Sequence, residues 1–174
     1  MLQTPSRRGL LLALAGTVVN AAGSAAQDGA LAAPTGPILL TVSGNIQVHN
    51  RDATAVFDRA MLEALGLIAF TTHTPWYEGQ VTFEGVPMMR LLERLGARGT
   101  SVTAKALNDY ATEIPIDDFA RFGTILAMKR NGANMPVRDK GPLFIVYPYD
   151  SAPELNARLY YSRSAWQVAQ LIVR

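Results

Sequence analysis

The 174-residue sequence contains no cysteine. No disulfide can brace this fold, and no thiolate is available as a nucleophile or as a soft metal ligand. Histidine is almost as scarce. His49 and His73 are the only two, and neither has an acid or a second histidine at zinc-binding spacing, which argues against a metal centre. A P-loop, a G-x-G-x-x-G turn and a G-x-S-x-G elbow are also missing, so the usual frames for phosphate binding, dinucleotide binding and serine hydrolysis have no counterpart here. Net charge is nearly as lean as it can be. Arg7 and Arg8 account for the whole formal excess of +2, and beyond Ala26 basic and acidic residues are equal at 14 each. No basic stripe is left for nucleic acid or a membrane surface.

What is present begins with a leader. Arg7-Arg8 precede an apolar run from Leu10 to Val19, and small residues, Ala21-Ala22-Gly23-Ser24-Ala25-Ala26, follow it. A charged head, a short apolar stretch and an A-x-A-like end read as an export signal over residues 1–26. The run is too short to span a hydrocarbon core of about 30 Å, which takes roughly 20 residues, and no second run of membrane length follows. The arginine pair resembles a twin-arginine signal, a route that carries folded cargo; a general secretion signal is the alternative. The expected location is the periplasm, with the mature domain not inserted in the membrane. Residues 27–37, rich in Ala, Pro and Gly, read as a tether, and residues 38–174 as one domain large enough to bury its own core.

Periodicity within that domain alternates between strand and helix. Ile38 to Val42 reads as a strand, and Val56, Phe57, Ala60, Met61, Ala64 and Leu65 as a helical stripe stopped by Gly66. Leu67 to Thr72 and Gln80 to Glu84 read as strands, the second with Val81 and Phe83 on one face. Met88, Leu91, Leu92 and Leu95 form a second helical stripe between Pro87 and Gly96. From Ser101 strand patterns dominate: Val102, Ala104 and Ala106 alternate with polar neighbours, then Ala111 to Ile116 and Thr124 to Arg130, separated by a helical turn at 117–122. Leu143 to Tyr147 is apolar throughout, as in a strand covered on both faces. Leu159 to Tyr161 and Trp166 to Val173 close the pattern. Mixed strands with short helices predict an α+β domain built on a mixed sheet.

Candidate chemistry lies in four stretches that mix aromatic with polar residues. They are Thr71 to Tyr77, Asn108-Asp109-Tyr110, Tyr147 to Asp150 and Tyr160 to Trp166. Planar side chains beside amide, carboxylate and guanidinium groups suit a flat, polar heteroaromatic ligand, its ring stacked and its edge read by hydrogen bonds. The competing reading is that Tyr and Trp at strand ends cover the edge of the core. The pair Asp117-Asp118 falls where a helix begins, and its expected role is capping and dipole complementation.

Several segments resemble the sulfite-oxidase-type molybdopterin-binding domain. Asn131-Gly132 followed by Met135 to Pro148, with Gly141-Pro142 before the apolar run, is similar to that family's N-G…P…G-x-P-hydrophobic-P segment. Tyr110 to Pro115 resembles its aromatic-then-strand stretch, and Phe83-Glu84-Gly85-Val86-Pro87 leading into Leu91-Leu92 its strand-to-helix unit. The likeness runs from about Leu39 to Val173. Catalytic members of the family hold molybdenum through the pterin dithiolene and one protein cysteine. This chain has no cysteine, and no other residue type supplies a thiolate in its place.

The resemblance is strongest to the small exported members, which include metal-free pterin-binding regulators. It implies a pterin cofactor and, as partner, the periplasmic domain of a membrane signalling protein such as a cyclic-di-GMP enzyme. In that reading Trp166 packs on the ring, Tyr110 forms a second wall, Asn108 and Asp109 read the pyrimidine edge, and Arg163 reaches a carbonyl or ring nitrogen. Trp76 and His73 complete the lining. Two other readings stand beside it: a molybdopterin-dependent oxidoreductase, or a subunit of one, without the cysteine ligand; and an adaptor whose pocket is vestigial.

Overall fold

The computed structural model describes Met1 and residues 30–174 of the chain. The leader read over residues 1–26 lies, Met1 aside, outside the described residues. Among the described residues, no helix is long and apolar enough to cross a membrane.

Two five-stranded sheets share one core. The first contains β1 (Leu40–Gly44), β2 (Ala55–Phe57), β5 (Ser101–Ala106), β6 (Ala111–Pro115) and β10 (Val168–Val173), in the order β2-β1-β10-β5-β6. Its β1–β10 pair is parallel and joins the two ends of the domain. The second runs β3 (Ile68–Thr74), β4 (Tyr77–Pro87), β7 (Ile125–Arg130), β8 (Ala133–Asn134), with β9 (Phe144–Val146) also paired to β7. Among the described residues, four short helices connect them: α1 (Arg59–Ala64), α2 (Met88–Arg94), α3 (Ile116–Phe122) and α4 (Arg158–Arg163). This is an α+β domain of mixed sheets, as the periodicity predicts.

The strand patterns are carried out side chain by side chain. In β5 Val102, Ala104 and Ala106 are buried and their neighbours partly exposed, the two-residue period of a strand with one wet face. Val81 and Phe83 of β4 point into the core. Every residue from Leu143 to Tyr147 is at 0% exposure. The run is covered because β9 lies between β7 and the chain entering β10: Ile145 N–H donates to Ala165 O at 2.9 Å and Val168 N–H to Leu143 O at 3.0 Å, and Phe144 bridges Trp166. That seam connects the two sheets. The α2 stripe of Met88, Leu91, Leu92 and Leu95 is buried as its spacing requires, and Gly96, at φ +58°, closes the helix.

Four local readings differ from the structure. The first helix begins at Arg59 rather than Val56, because Ala55–Phe57 pair with β1 as β2 and are fully covered. Asp58 ends that strand and caps the helix: its Oδ1 accepts from Met61 N–H at 2.9 Å. Its Oδ2 accepts from the N–H groups of Thr35 and Gly36, both at 2.8 Å, so those two residues, read as tether, are hydrogen-bonded to the domain. Asp118 is not a cap. The N-cap of α3 is Pro115, and Asp118 turns inward to accept from Tyr147 Oη at 2.9 Å and Arg163 Nη1 at 2.7 Å. Leu159 to Tyr161 lie in α4, where Tyr160 and Tyr161 N–H groups both donate to Ala157 O. Finally, β10 starts at Val168, since Gln167 at φ +55° bends the chain after Trp166.

Candidate functional site

A pocket of about 250 Å³ opens where three connections converge. They are the β3–β4 turn with Trp76, the β5–β6 turn with Asn108 and Tyr110, and the chain from Tyr161 to Trp166 that leaves α4. Each wall has a local cause. Asp109 adopts φ +64° at the tip of the β5–β6 turn, a conformation Asp and Asn tolerate better than most residues. Asn108 Oδ1 accepts from Tyr110 N–H at 3.2 Å and fixes the same turn. The amide N–H groups take no part in that bond, and Asn108 lines the pocket.

Trp76 is the keystone of the aromatic lining. Its indole meets Phe144, Tyr149, Tyr161 and Trp166 edge to face, at centroid separations of 5.3, 6.0, 5.9 and 5.7 Å. Such contacts place ring edges against ring faces, the preferred quadrupole geometry. Phe144 and Tyr149 beneath it are fully buried, so the floor is rigid. Tyr149 is held in turn by Ser164: Ser164 Oγ donates to Tyr160 O at 2.7 Å, which leaves it to accept from Tyr149 Oη. Burial pushes the Tyr149 phenol well above its ordinary pKa, so it stays a neutral donor.

The mouth is more open. Trp166 is 36% and Tyr110 45% exposed. Tyr110 Oη donates across the opening to Ser162 O at 2.8 Å. Lys140 places its ammonium 5.4 Å from the Trp166 centroid and 4.8 Å from that of Tyr77, a cation–π arrangement at the rim. Tyr77 donates to Asp139 Oδ1 at 2.9 Å. Burial and that bond push its phenol up to about 12. No charged side chain is among the lining residues.

Of the seven residues singled out in the sequence, Trp76, Asn108, Tyr110 and Trp166 come together around this pocket. The other three are placed elsewhere. Asp109 is exposed at the turn tip. His73 pairs through Nδ1 with Asp150 Oδ2 at 2.9 Å, tying the end of β3 to the 3-10 turn at 149–151. Arg163 lies behind the wall, its guanidinium committed to Asp118. Tyr161, Ser162, Ser164 and Ala165 line the pocket without having been nominated. The aromatic-polar stretch from Tyr160 to Trp166 held the signal, but which of its side chains face inward depends on α4, which strand-like aromatic content concealed.

Residues 48–152 match the model of the oxidoreductase molybdopterin binding domain. The chain belongs to that family. Among solved structures it is similar to the sulfane dehydrogenase SoxCD from Paracoccus pantotrophus, with 17% identity and a TM-score of 0.58 over 77% of this chain. The fold is thus of the sulfite-oxidase type. The similarity spans 37% of the SoxCD chain, so this protein corresponds to a minor part of that one. No curated protein matches the sequence. The family match takes in Trp76, Asn108, Tyr110 and Tyr149; the wall from Tyr161 to Trp166 lies beyond it.

The lining can be tested against the group the family name implies. Aromatic faces, an amide with free donors and two serines fit the flat ring system of a pterin. They do not fit its metal. The chain supplies no thiolate ligand, and no group of three or more His, Cys, Asp or Glu able to hold a metal occurs among the described residues.

Proposed function

We propose that this protein is a pterin-binding module that holds the ring without molybdenum and acts through contact with another protein. The observation that carries the reading is the composition of the pocket: four aromatic side chains around Asn108 and two serines, with no donor suited to the metal. In this reading Trp166 and Tyr110, the two exposed walls, take the ring between them, and Asn108 donates to an edge acceptor. Trp76 stiffens the wall from behind rather than stacking, since its ring is already met edge-on by four neighbours. The export-type leader supports a periplasmic location, and the resemblance to the small exported members supports a partner there, the outer domain of a membrane signalling protein.

A molybdopterin-dependent oxidoreductase is the second reading, favoured by membership in the family itself. One preparation separates the two. Protein purified from its native periplasm is expected to carry pterin fluorescence in near-equal amount and no molybdenum. Molybdenum at comparable stoichiometry overturns the proposal. Finding neither, together with no binding of added dihydroneopterin or neopterin, leaves the pocket without this role.

A further inference from the structure

Three consecutive residues at the end of α4 each reach a different element of the fold. Ser162 O accepts from Tyr110 Oη of the β5–β6 turn. Arg163 Nη1 donates to Asp118 Oδ2 of α3 at 2.7 Å. Ser164 Oγ is shared between Tyr149 and Tyr160. The next two residues, Ala165 and Trp166, form the far wall of the pocket. The helix is short, six residues with none fully buried and no side-chain N-cap, and it packs on the core through the partly buried rings of Tyr160 and Tyr161, so the polar tethers that follow those rings fix where the wall begins.

Among the three tethers the middle one differs in kind. Asp118 and Arg163 side chains are 12% and 18% exposed, so the pair is largely withdrawn from water. Asp118 Oδ2 also accepts from Tyr147 Oη, whose ring is fully buried, and the Arg163 guanidinium lies 5.7 Å from the Tyr160 ring centroid. A charge pair with such supports holds one geometry, and removing either partner leaves the other with little water to compensate it.

We propose that the Asp118–Arg163 pair is the latch that sets the position of the Trp166 wall, making both of them positioning residues for ligand recognition. Arg163 thus acts on the ligand through Trp166 and not by touching it. The ligand part of this inference rests on the pterin reading above; the part about the wall does not.

The chain's two tryptophans, Trp76 and Trp166, both line this pocket, so near-UV circular dichroism and acrylamide quenching of tryptophan emission report on the wall directly. Arg163→Ala is expected to lower the near-UV signal, raise quenching and weaken binding of dihydroneopterin about tenfold or more. Arg163→Lys, which keeps the charge, should recover part of each, and Asp118→Asn should repeat the Arg163→Ala effects if that variant does not fold. Lys129→Ala, which removes the Lys129–Glu84 pair of the second sheet, should leave all three readouts at wild-type values. An Arg163→Ala protein with unchanged near-UV signal and quenching overturns the latch. Wild-type protein that binds neither dihydroneopterin nor neopterin overturns the pterin reading instead, and the latch is then decided by the two tryptophan readouts alone.

Discussion

The indoles of Trp76 and Trp166 meet edge to face, with centroids 5.7 Å apart and planes inclined at 77°, yet they occupy opposite positions in the energetics of the fold. Trp76 is wedged among Phe144, Tyr149 and Tyr161 as well. Trp166 keeps 36% of its surface in water. Truncation should therefore separate them. Trp166→Ala is expected to cost ligand binding about 1–3 kcal/mol, the scale of ring stacking on an aromatic side chain, with a minor change in melting temperature. Trp76→Ala should chiefly cost stability, approaching the roughly 3–5 kcal/mol of a buried aromatic truncation. Calorimetry of both variants checks the contrast. A large stability loss in Trp166→Ala with unaltered binding would return that residue to the core edge.

Gly85 illustrates a position where backbone approach, not conformation, demands glycine. A Cβ built there would lie 2.2 Å from Leu126 O and 2.5 Å from Ala127 Cα. The register between β4 and β7 also shifts at Glu84/Gly85, as at a bulge where two backbones close up. The opposing atoms are main chain and cannot rotate aside. Gly85→Ala is expected to destabilise the fold by at least about 1–3 kcal/mol, measured by denaturant unfolding. A wild-type midpoint would mean that the second sheet yields more readily than its packing implies.

The parts of this molecule legible in the sequence are those where one local period decides the outcome. Val102, Ala104 and Ala106 could alternate only as a strand, and Met88, Leu91, Leu92 and Leu95 could share a face only as a helix. Where two structures meet within one apolar stretch, the period misleads. Val56 and Phe57 fall in step with the following helix, but Asp58 captures the N–H of Met61 and ends a strand there. The site divides in the same way. Tyr110, Trp76 and Trp166 could be nominated, with Asn108 beside them, because aromatic and polar residues cluster in the same short stretches. The role of Arg163 could not, because its partner Asp118 is 45 residues away and the pairing exists only once α3 and α4 are placed.

Acid stability should trace to two carboxylates held by backbone donors. The N–H groups of Met61 and then Gly36 lower the pKa of Asp58; that of His73 lowers Asp150. A carboxylate with a folded pKa below its unfolded value favours the fold while ionised. That contribution is complete above the ordinary carboxylate pKa of about 3.9 and is lost as pH falls through the lowered folded values. Asp58→Asn should melt below wild type at neutral pH, and the two melting curves should converge in acid. Melting temperatures that stay parallel across the acid range would show that Asp58 contributes shape rather than charge.

The bond from Tyr110 Oη to Ser162 O spans the mouth of the pocket, and its removal offers the mildest test of how the opening is shaped. Tyr110→Phe keeps the ring and deletes only the hydroxyl. Tyr110 is 45% exposed, so water can replace the lost donor at Ser162 O, and the change in stability should stay at or below about 1 kcal/mol. Binding should respond more than folding. With the hydroxyl gone, the Tyr110 ring and the end of α4 are no longer fixed relative to each other, and a ligand must order them as it enters, at a cost of roughly 0.5–1.5 kcal/mol for an immobilised side chain. The expected result is a severalfold weaker Kd for dihydroneopterin with a faster off-rate and a melting temperature within a few degrees of wild type. If Tyr110→Phe binds as tightly as wild type while Tyr110→Ala does not, the ring alone is the wall and the bond to Ser162 is incidental. If both variants bind normally, the ligand does not touch Tyr110, and the stack must be rebuilt around Trp166 and Tyr161.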